Sequence, residues 1–382
     1  MQNGKENRAP VMRLAPSWIW RARGLLGVLP LFAAACRDAP APAATAPSAD
    51  APAGSVTAPS SVTSSGGATA APGDATPSSS PAPAGGILDL HVHLPSRAVV
   101  PALLERLQQH GIARAVILSS SPLRPSARTQ GPFAELGPAN DLVLEVAAEH
   151  PGRLIPFIAL DLAAQRPEDL DALLRRGACG VKLYQGNHEL HERPLDDPAH
   201  EPLWKAMAAR RVPVLLHVNT VRYRAELDAV LRAHPGLNVT CAHFCGARTD
   251  LDRLESIMNA HPALLFDTSN GSASFAADGY AHFERERDRI RSLIARAPHR
   301  FLFGSDLVPT QSGPEWSTEW DFHLRANLGV LREERFEFWR KEPPSKALVP
   351  GQYRGLTLPP DVLRPILEEN AKRWLGTCLA PK

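Results

Sequence analysis

The chain has 382 residues, of which 44% are hydrophobic, enough for one large domain or two ordinary ones. Its 42 lysines and arginines almost cancel 40 aspartates and glutamates, leaving a formal charge of +2 with no basic run and no RNA-binding signature. Composition therefore gives no reason to expect a nucleic-acid partner, and a small molecule is the expected one.

Arg13, Arg21 and Arg23 precede a short apolar run from Gly24 to Ala35, whose last small residues lead directly to Cys36. A positive region, an apolar region and a small-residue cleavage site read as a secretory signal over residues 1–36. About a dozen apolar residues cannot span a hydrocarbon core of roughly 30 Å. With cysteine next, "FAAAC" resembles a bacterial lipoprotein signal, although Ala33 stands where leucine is usual. Cys36 would then be the lipidated first residue of a membrane-anchored chain in the periplasm or at the cell surface. The alternative is an ordinary signal peptide followed by an incidental cysteine. Both give export.

From Ala39 to Gly86 the sequence is almost wholly Ala, Pro, Ser, Thr and Gly, with only Asp50 and Asp74 charged. Such a segment buries too little apolar surface to offset its ordering entropy, so residues 37–86 are expected to form a disordered linker. A coil of this length has a dimension of about 40 Å. The folded domain is expected over residues 87–376.

Eight apolar runs follow, each with a helix-like stretch behind it: Ile87 to Leu94, Arg114 to Ser119, Leu154 to Leu160, Gly180 to Tyr184, Val212 to Val218, Leu237 to His243, Ala263 to Thr268 and Arg300 to Asp306. The junctions "EHPGRLI", "AHPGLNV" and "AHPALLF" share one form, a helix stopped at His-Pro with a strand starting just beyond. Eight strand and helix units at this spacing imply a closed parallel (β/α)8 TIM barrel of the α/β class. A doubly wound open sheet would use fewer strands and a glycine-rich phosphate turn, which "HLPSRAVV" lacks. Beyond the eighth strand, Val308 to Pro314 and Glu342 to Pro360 read as irregular. Between them lies an aromatic helical stretch with Trp316, Trp320, Phe322, Phe336 and Trp339, placed over the barrel mouth or against its outside. A last helix is expected from Pro360 to Leu375.

The 14 histidines divide by position. His150, His234, His261 and His299 precede strands, at the barrel face that serves stability. His91, His93, His217 and His243 fall at the C-terminal ends of strands one, five and six, Lys182 near the end of strand four and Asp306 at the end of strand eight. Those ends converge on one mouth. With a side-chain period of two, His91 and His93 share a face, and Leu90 and Val92 the other. One such histidine is ordinarily a hydrogen-bonded core residue, but the whole set points to a metal. Imidazole and carboxylate suit Zn2+, and also Mn2+, Fe2+ or Ni2+.

The ordered motifs "DLHVHL", "VLLHVN", "TCAHFCG" and "FGSD", with the closing "EENAKRWLG", resemble the amidohydrolase superfamily, in its amidohydrolase-related branch. The resemblance implies that His91, His93, His217 and Asp306 hold the metal. It makes His243 a second-metal ligand or a group that polarises substrate. Lys182 stands where two-metal members carry a carboxylated bridging lysine, but one ion is favoured here, and Lys182 can instead bind a substrate carboxylate. The reaction implied is attack of metal-activated water on an amide, ester or lactone, with Asp306 as general base and acid and His243 stabilising the oxyanion. Two alternatives stay open. One is a non-oxidative decarboxylase of an aromatic or unsaturated acid, with Lys182 or Arg222 on the carboxylate. The other is a non-catalytic tethered binding protein.

Other residues carry less. Arg222 and Arg224 read first as a solvated helix start. Cys179, Cys241, Cys245 and Cys378 allow three disulfide connectivities, and the sequence does not choose among them. Cys241 is expected on the inward face with His243, as a buried small residue. His188 and His191 are expected in an exposed loop near the mouth, and Tyr184 and Thr268 rank below the metal set.

Overall fold

The computed structural model describes residues 86–124, 126–309 and 314–379. The expected signal peptide with Cys36, and all of the expected linker except Gly86, lie outside the described residues.

Eight strands form one parallel sheet in sequential order: β1 (Ile87–Leu94), β2 (Ile112–Ser119), β3 (Leu154–Ala159), β4 (Gly180–Gly186), β5 (Pro213–Val218), β6 (Asn238–Cys241), β7 (Leu265–Asp267) and β8 (Phe301–Leu302). The sheet closes on itself just past β8, where the Leu90 and His93 amides donate to the carbonyls of Phe303 and Leu307 at 3.0 and 2.8 Å. With helices in the connections, the fold is a (β/α)8 barrel. The strands are buried along nearly their whole length, as expected when a sheet is covered on both faces.

The helices start and stop where local chemistry dictates. The helix Leu251–Ala260 opens at Asp250, whose carboxylate accepts the Arg253 amide, and Pro167–Arg175 begins on proline. His234 and His261 end their helices and turn inward to Glu201 and Asp228, at 2.9 and 2.6 Å. They hold neighbouring helices together, the structural role expected of them.

The core has two layers. Outward strand residues such as Val92, Val181, Val214 and Val239 pack under the helices. Inward residues, including Leu90, Leu118, Phe157 and Leu215, fill the barrel floor with Trp374. Phe157 and Trp374 rings lie 5.4 Å apart, and Trp374 exchanges two hydrogen bonds with Asn238. A disulfide between Cys179 and Cys378, with 5.5 Å between Cα atoms, fixes the C-terminal segment to the start of β4.

The structure corrects several expectations. Leu90 and Val92 do not share a face: β1 carries one extra residue between Asp89 and Val92 relative to β2, so Leu90 faces the barrel floor and Val92 the helices. This bulge lets Leu88 and Leu90 fill the interior below while His91 and His93 also face inward above. Strands six and eight end early, leaving His243 and Asp306 on the turns beyond them. Cys241 lies in the helix-facing layer and is bonded to Cys245, not lining the interior. Trp320 and Phe322 belong to a helix, Pro314–Arg332, but Phe336 and Trp339 lie on a hairpin, β9 (Arg335–Glu342) with β10 (Ala347–Arg354). Along β9, buried Phe336 and Phe338 alternate with exposed Arg335 and Glu337, a period of two that no helix shows. The hairpin packs through Phe336, Phe338 and Tyr353 on Tyr280 of the helix Ala273–Arg285, in the outer layer. The closing segment 360–375 is helical, with a wider turn over Pro365–Glu369. No helix of the described residues is long and apolar enough to cross a membrane.

Candidate metal centre

At the C-terminal mouth the residues taken from β1, β4, β6 and β8 meet. His91 and His93 lie 0% and 6% exposed, and their Nε2 atoms stand 2.9 and 3.2 Å from the same oxygen, Asp306 Oδ1. His243 Nε2 lies 3.8 Å from Asp306 Oδ2, and Lys182 Nζ lies 3.0 Å from His91 Nε2. His217 meets this group edge-on, its ring 5.0 Å from that of His243. It stands outside both clusters of potential ligands, His91 with His93 and Asp306, and His91 with His243 and Asp267.

The backbone at two of these residues is unusual. His243 and Asp306 adopt φ of 57° and 56°, in the left-handed region that costs side-chain-bearing residues free energy and that clusters at functional sites. His243, Phe244, Cys245 and Gly246 are all left-handed, a tight turn bracketed by the Cys241–Cys245 disulfide. Gly246 must be glycine, since a Cβ there would stand 2.8 Å from the Val218 carbonyl oxygen. Gly304 is equally constrained: a Cβ would come within 2.4 Å of Asp267 Oδ1 and 3.0 Å of His91 Cβ.

Hydrogen bonds at Nδ1 fix the tautomer of each clustered imidazole. His91 Nδ1 faces Asp267 Oδ2 at 2.5 Å, an acceptor, so it carries the proton. His93 Nδ1 lies 3.1 Å from Ser120 Oγ, whose own proton goes to the Leu118 carbonyl. His243 Nδ1 lies 2.9 Å from Ser269 Oγ, whose proton goes to Asp267 Oδ2. Each Nδ1 is therefore a donor, and each Nε2 presents a lone pair toward Asp306. Three lone pairs around a carboxylate repel one another, and a cation among them removes the repulsion. This is the arrangement by which outer hydrogen bonds orient metal-ligating histidines.

The electrostatics agree. Burial pushes His93 down to about 4 and holds His217 and His243 well below the usual imidazole range, so all three are neutral. Burial opposes charge on Asp306, yet the positive charge that His91 takes up beside it outweighs burial and holds the carboxyl well below normal. Burial and the Lys182 ammonium oppose charge on His91, but Asp306 and Asp267 outweigh them and raise it, the protonic form of the same demand for a cation. Burial lowers Lys182 to about 8 against the support of Asp306 and Asp267.

Of the other expected residues, Tyr184 touches the cluster. His191 is not in an exposed loop: it bonds Glu226 at 2.7 Å and stacks on Tyr223, with rings 3.7 Å apart. Arg222 is exposed, and Arg224 bonds Asp228. The Tyr184 hydroxyl donates to the Ser119 carbonyl at 2.7 Å and stands 3.4 Å from His93 Nδ1. Thr268 is buried with an unpartnered hydroxyl. Asp267, Ser269 and Ser120 went unrecognised in the sequence. Asp267 had a signal, an acidic residue ending the aliphatic run "ALLFD", whereas the serines had none.

The family model described as Amidohydrolase matches residues 127–377. None of the curated proteins matches the chain. Among solved structures, the chain is similar to a putative 2-pyrone-4,6-dicarboxylic acid hydrolase from Pseudomonas putida, at 17% identity and TM-score 0.52 over 78% of this chain and 99% of that one. It is also similar to an uncharacterized TIM-barrel protein from Bordetella bronchiseptica, at 17% identity and TM-score 0.50 over 76% and 99%. A probable 2-pyrone-4,6-dicarboxylic acid hydrolase from Acinetobacter baumannii, with citric acid bound, matches at 14% identity and TM-score 0.50 over 76% and 99%. At these identities the likeness is one of fold.

Proposed function

The chain belongs to the amidohydrolase family, and from that premise we propose that it is a metal-dependent hydrolase acting on an amide, ester or lactone carbonyl. What supports the reading is the convergence of three Nε2 lone pairs, from His91, His93 and His243, on one ionised carboxylate. These residues suit one divalent ion, Zn2+ before Mn2+, Fe2+ or Ni2+, with His217 as the expected further ligand. When bound, such an ion supplies Lewis acidity and lowers the pKa of water from about 15.7 toward 7.

The side chains supply the rest. Asp306, ionised and 13% exposed at its side chain, accepts the proton of the attacking water and returns it to the leaving group. The oxyanion role expected of His243 passes to another group, because its only N–H is committed to Ser269. Lys182 is the one fully buried ammonium among the described residues and offers positive charge for the developing oxyanion. Asp267 and Ser269 keep His91 and His243 in the ligating tautomer.

Elemental analysis of the purified full chain, followed by turnover of a panel of lactones, esters and amides, tests the proposal. About one equivalent of metal and hydrolysis of a member of the panel are expected. Asp306→Asn should lower turnover by about 10²–10⁴-fold, the scale of general acid–base catalysis. Unchanged turnover with metal retained would remove Asp306 from its role. Release of carbon dioxide from an aromatic acid would instead favour decarboxylation, with buried Lys182 rather than the exposed Arg222 on the carboxylate. Metal-free protein would favour the tethered binding protein. We further propose export with a lipid on Cys36; Cys36→Ser should move the protein from the membrane fraction to the soluble one.

A further inference from the structure

Arg248 is a buried cation that the chemistry above leaves unused. It follows the left-handed turn of His243–Gly246 and is 5% exposed. Its Nε reaches only the Phe275 carbonyl, at 3.4 Å, and its guanidinium carbon lies 5.3 Å from the Phe275 ring. It forms no ion pair with any described residue. The other strongly buried arginine among the described residues, Arg300, shows what a structural guanidinium looks like here: it donates to the carbonyls of Met258, His261 and Leu264. Burying a guanidinium without such partners is costly, so its anion is expected to come from outside the protein.

The surroundings suit an anion. Phe275 is in the first turn of the helix Ala273–Arg285, and Ser272, the N-cap just before it, makes no capping hydrogen bond and keeps an unpartnered buried hydroxyl. Helix N-termini and guanidinium groups both favour negative charge. The site adjoins the metal centre. The Arg248 stem packs with Asn270 at Gly279, where a Cβ would stand 3.1 Å from Arg248 Cδ and 2.4 Å from Asn270 Oδ1, and Asn270 directly follows Ser269, the residue that orients His243.

We propose that Arg248, beside the first turn of the helix Ala273–Arg285, is the substrate-carboxylate subsite of this centre, so that the substrate carries a free carboxylate as well as its hydrolysable carbonyl. The proposal rests on the hydrolytic reading for its second half. A single guanidinium matches the two oxygens of one carboxylate as a planar fork, whereas a phosphate would call for further cations.

Calorimetric titration of the full chain with benzoate and with benzamide tests the subsite. Arg248→Met should weaken benzoate binding by about tenfold to a hundredfold, the range of a charge-assisted contact, and leave benzamide unchanged. Arg248→Lys keeps charge and stem but loses the fork, and should lose part of that affinity; it carries the test if the methionine variant does not fold. Benzoate binding equal in the native chain and the variants, or equal losses for benzoate and benzamide, would overturn the proposal. A chain that binds benzoate through Arg248 yet hydrolyses no carboxylated ester, amide or lactone would keep the subsite and refute the hydrolytic reading.

Discussion

Asp267 accepts from three groups at once: His91 Nδ1, the Ser269 hydroxyl and, at 2.6 Å, the Ser269 amide. It is 0% exposed and sets the tautomer of two of the three clustered imidazoles, one directly and one through Ser269. Asp267→Asn replaces that acceptor with an amide whose NH2 can turn toward His91. Metal affinity should fall by about 10–100-fold, as for other outer partners of metal-ligating histidines, and chelator competition measures it. Ser120→Ala releases only the Nδ1 of His93, and the Tyr184 hydroxyl remains 3.4 Å away to take its place. Its effect in the same assay should be smaller.

His243 depends on an element that is neither strand nor right-handed helix. Residues 243–246 are left-handed, a conformation costing roughly 1–2 kcal/mol for each residue with a side chain. Two features hold the turn: Phe244, buried edge-on against Phe283 with rings 5.0 Å apart, and the disulfide bracketing the turn, with Cα atoms 4.8 Å apart. Opening the bracket lets the backbone relax toward an ordinary conformation that re-aims His243. The double variant Cys241→Ala, Cys245→Ala should keep the barrel's circular-dichroism spectrum. Metal affinity should drop by about tenfold, corresponding to ~1.4 kcal/mol of lost positioning. Unchanged affinity would show that Phe244 packing holds the turn alone.

At the scale of the molecule, the barrel separates stability from chemistry. The floor is sealed by Trp374 and by the Cys179–Cys378 bond, which joins residues 199 positions apart. Closing so long a loop constrains the unfolded chain, and its loss typically costs on the order of 2–5 kcal/mol. Cys378→Ala should therefore lower the thermal midpoint under oxidising conditions. Because the mouth is at the opposite end of the strands, metal affinity in the folded variant should be unchanged. A parallel fall in both would mean that floor and mouth are coupled.

The barrel was legible in the sequence because its strands are covered on both faces and read as aliphatic runs, and because helices stopped at His-Pro mark the junctions. His91, His93, His243, Lys182 and Asp306 were legible because sequential strands of a closed barrel bring their C-terminal ends to one mouth. Contacts between distant segments decided the rest. The β1 bulge appears only in its register with β2, and the cysteine pairing only once β4 and the C-terminal segment are adjacent. Asp267 acquires its role from a hydrogen bond spanning 176 positions, and Arg248 its character from which groups fail to surround it. By itself the sequence determined which side chains gather, through short-range periodicity and topology. Only the tertiary structure decided how each is turned, because orientation is set by single hydrogen bonds and backbone angles that leave no periodic trace.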